Sequence, residues 1–114
     1  MNSKKKIRAD FRKTVFERDK YQCVCCKRKG FCRQTGFSPY QGQLVELDAH
    51  HIQNRHLFKN GGYTLSNGIT VCTECHIAAE AAHVNEACQD GFSPEELYTK
   101  IGSSFEKAQI EDRK

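Results

Sequence analysis

Four of the chain's seven cysteines fall into two C-x-x-C pairs, Cys23/Cys26 and Cys72/Cys75. Two such pairs can close a tetrahedral four-thiolate site, the usual structural zinc centre. Forty-five residues separate Cys26 from Cys72, so a shared Zn²⁺ would tie the start of the chain to its middle and contribute to folding. Cys25 has the wrong spacing to join Cys26, and the unpaired Cys32 and Cys88 read as small buried hydrophobes. A second set of residues has no place in a zinc ribbon. These are the adjacent His50 and His51 of "DAHHIQNRH", Asn67 just ahead of "GITVC", and His76 directly after Cys75.

The elements that must position these groups can be read from pattern. Residues 1–6 read as a disordered basic leader. Ile7, Phe11, Val15 and Phe16 recur at helical spacing with basic residues between them, which predicts a helix over 7–18 with one packed and one cationic face. "RQTGFSPYQGQ" carries turn signals and reads as loop. "QLVELDAHH" alternates, with Val45, Leu47 and Ala49 against Glu46, Asp48 and His50, as a half-buried strand does. "GITVC" follows the loop containing "KNGGY" as a second short strand, and helical composition resumes over "TECHIAAEAAHVNEAC". Ser93, Pro94 and Glu96 predict a capped helix that Gly102 ends. Residues 7–102 then form one domain with its core near 14–80, and 103–114 read as a tail or frayed helix.

Length and composition bound the rest. The 114 residues suit a single domain, and an apolar share of 38% is low enough to call for a staple. Disulfides fit poorly, because the cysteine count is odd and "MNSKKKIRAD" has no apolar run after its charges. No stretch approaches a membrane span, so a cytoplasmic location is expected. The net charge of +4 is uneven: Met1–Arg33 carries +9 and Gln34–Lys114 carries −5. A basic first third suits a polyanionic partner such as nucleic acid, or serves as a solvated arm.

With these segments in place, the sequence resembles the HNH endonuclease family, whose core is a ββα-metal finger. The resemblance rests on "VFERDKYQCVCC", "LDAHHI", "NGGYTLSNGITVC" and "CTECH", in order and at compatible spacing, and covers about residues 14–80. It implies an α+β fold: a zinc-stapled finger with an N-terminal basic helix and C-terminal helices. It also implies that His51 is the general base, that Asn67 holds this base by a hydrogen bond, and that His50 and His76 ligate a divalent cation. Glu80, one helical turn after His76, could ligate that cation, touch it through water, or be solvated. The implied reaction is hydrolysis of DNA phosphodiester bonds to 5′-phosphate and 3′-hydroxyl ends, with Mg²⁺, Mn²⁺ or Ni²⁺.

Further expectations attach to this reading. Asp48 is placed to orient His50 or to be merely exposed. His56 and His83 read as surface or packing residues. Lys27, Arg28, Lys29, Arg55 and Lys59 are candidate phosphate contacts that supply affinity with little sequence selectivity. Activity should fall below about pH 6.5 as His51 takes up a proton. The alternative reading is a non-catalytic, zinc-stapled nucleic-acid-binding module, which needs only the cysteines and the basic first third. A third is an adaptor whose acidic C-terminal part docks a partner, such as a phage packaging or recombination protein.

Overall fold

Alternation over Val45–His51 builds the central strand, β2, of a three-stranded sheet ordered β1-β2-β3. The computed structural model describes residues 3–84 and 88–114. β2 pairs antiparallel with β3 (Gly68–Cys72), placing His50 opposite Ile69 and His51 opposite Gly68. It also pairs in parallel with β1 (Gly30–Cys32), which reaches only from Val45 to Leu47. Three residues are too few for a periodic signal, so β1 is not anticipated from sequence. Its shortness leaves the edge of β2 from Asp48 to His51 without a strand partner among the described residues.

One face of the sheet is covered by α1 (Ser3–Arg18), which buries Phe11, Val15 and Phe16. The approach is close: a Cβ on Gly68 would meet the side chains of Val15 and Phe11, the latter at 2.8 Å. The end of the helix is tied to β3, since Arg18 donates to Gly68 O at 2.7 Å and Asp19 accepts from Thr70 N at 2.9 Å. The helix takes in residues 3–6, expected as a disordered leader. Lysines are good helix formers, and Lys6 pairs with Asp10 one turn on at 2.8 Å. Ile7, expected on the packed face, is exposed.

The other face is not the solvated side that alternation suggested. Asp48 and His50 are buried there beside Ile69 and Val71. The cover comes in part from α2 (Thr73–Glu80), which continues as a 3₁₀ turn over Ala81–Val84. The rest of the helical stretch expected up to Cys88 falls on residues 85–87, outside the described residues, and Cys88 itself is exposed rather than buried. Cys25 is only partly buried, whereas Cys32 is buried as expected.

The C-terminal part packs back on the finger. α3 (Pro94–Lys100) opens with the expected capping box: Ser93 Oγ accepts from Glu96 N at 3.2 Å and Glu96 accepts from Ser93 N at 3.3 Å. Gly102 follows its end at φ 68°. Residues 103–114, expected as a tail or frayed helix, contain α4 (Phe105–Asp112), capped by Ser104 and burying Ala108 and Asp112. Phe105 meets Phe58 edge-on, with ring centroids 5.5 Å apart. The architecture is α+β, with the cysteine cluster joining the turn after α1 to the β3–α2 junction. Among the described residues no helix is long and apolar enough to cross a membrane.

Candidate active site and metal centre

Cys23 and Cys26 lie in the turn after α1, Cys72 ends β3, and Cys75 sits in the first turn of α2. Their sulfurs all lie within 4.8 Å of one another. Cys26 and Cys72 Sγ are 3.7 Å apart, close to the roughly 3.8 Å edge of a tetrahedron with ~2.3 Å metal–sulfur bonds. Burial and the neighbouring sulfurs push the Cys75 thiol up, as burial does for Cys72. A cation among the sulfurs would relieve that cost, so the donor set fits a metal of the zinc class. Arg28 donates to Cys26 Sγ at 3.2 Å and Cys72 Sγ at 3.4 Å, and pairs with Glu74 at 3.4 Å.

The second cluster assembles beneath the open edge of β2. His50 Nδ1 lies 3.5 Å from Glu80 Oε1, and His76 Nε2 lies 2.9 Å from the same oxygen. One donor atom from each of His50, His76 and Glu80 falls within a 4.8 Å group. His50 is 1% exposed, yet neither ring nitrogen has a hydrogen-bond partner. Burial lowers its pKa and favours the neutral ring, which keeps a lone pair for a cation. An orphaned buried imidazole is costly, and a metal beside it would satisfy it. The close approach of His50, followed by the surrounding imidazole charge, pulls the Glu80 carboxyl down to about 2, keeping it ionised. These residues fit a divalent cation.

Asp48 orients a different imidazole from the one sequence suggested. Its Oδ2 lies 3.4 Å from His76 Nδ1, while Oδ1 accepts from Arg33 at 2.7 and 3.0 Å. The His76 contact first, and then Arg33, lower the Asp48 pKa against the opposing effect of burial. Burial disfavours charge on His76, but Asp48 and Glu80 outweigh it and raise its pKa. His83, read as a packing residue, belongs to the cluster. Its ring stacks on His50 at 5.0 Å, its Nδ1 lies 3.3 Å from Glu80 Oε2, and its Nε2 donates to Ile52 O at 3.2 Å. It lies seven positions after His76, two turns along one helical face, which was the available signal.

His51 points to the opposite face of β2, as strand geometry requires. Its ring stacks on Phe11 at 4.5 Å and meets the edge of Tyr63 at 4.8 Å. Nevertheless His51 and His76 line the same two adjoining clefts. β2 ends at His51 and its pairing with β1 stops at Leu47, so both faces open into one space. Burial, then the nearby Arg55 charge, pull the His51 pKa down to about 4. The expected titration near 6.5 is thereby moved well into the acid range.

Asn67 makes no hydrogen bond to the His51 ring. Fully buried, its Oδ1 accepts from Gln53 N at 3.1 Å and Tyr98 Oη at 2.6 Å, and its Nδ2 donates to Gly62 O at 3.2 Å. It braces the loop that follows the histidine pair.

The candidate phosphate contacts separate into two regions. Arg55 lines both clefts beside His51 and donates to Tyr63 Oη at 2.8 Å. His56, read as a surface residue, is exposed at the rim of one cleft. Lys59 is exposed and outside their lining. Lys29 O accepts from Val45 N, which puts Lys27, Arg28 and Lys29 near the start of β2. At ~3.3 Å per strand residue that is roughly 17 Å from His50. Arg28 is occupied by the sulfurs, and Lys29 lies over the Tyr40 ring at 4.7 Å. Arg8 and Arg12 of α1 and Arg33 after β1 line the cleft instead. Sequence showed the first two only as members of a cationic helix face.

A family model described as HNH endonuclease matches residues 23–81, just over half of the 114-residue chain. No curated protein and no solved structure gives a significant match. The matched span contains both cysteine pairs, both β2 histidines, Asn67, His76 and Glu80. This chain belongs to the HNH endonuclease family.

Proposed function

We propose that the protein is a metal-dependent endonuclease that hydrolyses DNA phosphodiester bonds. The carrying observation is the buried His50 ring, without a hydrogen bond at either nitrogen and grouped with His76 and Glu80, with His51 lining the same clefts as His76. His50, His76 and Glu80 would hold the divalent cation, Mg²⁺, Mn²⁺ or Ni²⁺, which supplies stabilisation of charge on the phosphate when bound. His51 acts as general base. Its lowered pKa keeps it neutral at physiological pH, and Phe11 and Tyr63 fix its plane. Its Nε2 is shut off from solvent, so Nδ1 is the atom through which the ring accepts a proton from the attacking water. Arg8, Arg12 and Arg55 hold the phosphate backbone along the cleft. The sulfur cluster binds structural Zn²⁺ and keeps β3, which follows Asn67, in register with α2, which carries His76 and Glu80.

Supercoiled plasmid incubated with the zinc-loaded protein and each cation, with an EDTA control, tests this reading. Metal-dependent conversion to nicked or linear DNA is expected. A gel shift of the plasmid without cleavage under any cation would favour a non-catalytic binding module.

A further inference from the structure

We infer that Tyr98 and Asp112, both outside the stretch that matches the family, are positioning residues that hold His51 in its reactive placement. The inference rests on the reading of His51 as the base. Two buried routes lead from the C-terminal helices to that ring.

The first approaches along the backbone. Tyr98, on α3, is 3% exposed and donates a 2.6 Å hydrogen bond to Asn67 Oδ1. The same oxygen accepts from Gln53 N at 3.1 Å, and Asn67 O accepts from Ile52 N at 2.9 Å. Ile52 and Gln53 are the two residues after His51. Asn67 is thus held from behind by α3 while it holds the exit of the histidine pair. Burial raises the Tyr98 pKa, so its hydroxyl stays protonated and able to donate.

The second approaches through the ring's neighbour. Asp112, at the end of α4, is 5% exposed. Its two carboxylate oxygens accept from Gly62 N and Asn60 N, each at 2.8 Å, and its carbonyl accepts from Asn60 Nδ2 at 2.7 Å. Gly62 sits at φ 69°, where a Cβ would lie 2.8 Å from Asn67 Nδ2. Held in this conformation, Gly62 delivers Tyr63, whose ring meets His51 edge-on at 4.8 Å. Glu111 and Ser103 extend the brace by binding Ser66 N at 2.9 Å and Ser66 O at 2.8 Å. A terminal helix with no structural duty toward this loop would not spend a buried carboxylate on two of its amides.

The test uses full-length, zinc-loaded Tyr98→Phe and Asp112→Asn variants, with circular dichroism and zinc content as folding controls. Tyr98→Phe should speed exchange of the Gln53 amide, and Asp112→Asn that of Asn60 and Gly62, each about tenfold. Both should shift the His51 ring resonances. Nicking kcat should fall roughly ten- to a hundredfold with KM changed less than twofold, as misplacement of a reacting group produces. Folded variants with unchanged His51 resonances and unchanged kcat would overturn the assignment. So would loss of folding in both variants, which would mark the contacts as purely structural. If only Asp112→Asn fails to fold, Tyr98→Phe decides. If the wild type nicks nothing, the reading of His51 as base fails, while the amide and ring signals still decide whether the helices position it.

Discussion

His83 lies stacked on His50, with ring centroids 5.0 Å apart and an interplanar angle of 22°. Its Nδ1 is 3.3 Å from Glu80 Oε2, while the other Glu80 oxygen faces His50 and His76. His83 therefore sets the direction in which Glu80 presents its other oxygen to His50 and His76. Replacing His83 by Ala should raise the half-saturating cation concentration for nicking about tenfold, as removing a residue that orients a metal ligand does. The rate at saturating cation should change little. A metal titration checks this, and an unchanged half-saturation point would remove His83 from the site.

The sulfur cluster predicts one tightly bound zinc per chain, measurable by elemental analysis. Cys75→Ala should lose that zinc and the cooperative thermal transition with it, because the buried sulfurs link the turn after α1 to β3 and α2. A zinc-free variant that melts as the wild type does would contradict a structural role.

Two classes of arginine should behave differently toward DNA. Arg8→Ala with Arg12→Ala should weaken binding and lower the slope of log K against log salt, by about 0.9 for each phosphate no longer neutralised. Arg28→Ala should leave the slope unchanged and loosen zinc, since its guanidinium is committed to Cys26 and Cys72. Salt titrations by fluorescence anisotropy separate the two. Equal slope changes would mean that the sulfur-bound arginine also meets the backbone.

The pH dependence has a definite sign. The folded-state pKa of His51 is lowered to about 4, against about 6.5 for an unfolded histidine. Between those values the unfolded chain binds the extra proton, so stability contributed by burying neutral His51 is present above about 6.5 and is lost as pH falls toward 4. In zinc-loaded protein without the second cation, the His51 ring resonances should titrate with a midpoint near 4. A midpoint near 6.5 would mean that the ring is open to water and free of charged neighbours.

How much of this was legible in the sequence depended on the length of the signal. The cysteine pairs, the β2 alternation and the Ser93–Glu96 capping box are local patterns, and the structure contains each of them. β1 is three residues long and pairs across a loop, so it left no pattern. The burial of Asp48 and His50 depends on α2 folding over a face that alternation alone marks as polar. Arg33, His83 and Asp112 act through partners 15, 31 and 50 positions away in sequence. Only the tertiary fold brings such partners together. Helical spacing from His76 would have flagged His83, but no local rule links Asp112 to Gly62.

His51 as the base, beside a cation held by His50, His76 and Glu80, is the centre of the proposed mechanism. The most direct measurement is the nicking rate of zinc-loaded wild type and His51→Ala on supercoiled plasmid with saturating Mn²⁺. The expected result is metal-dependent nicking by the wild type and a loss of at least about a hundredfold in the variant, with zinc content and plasmid binding retained. A His51→Ala protein that nicks as fast as the wild type would contradict the mechanism.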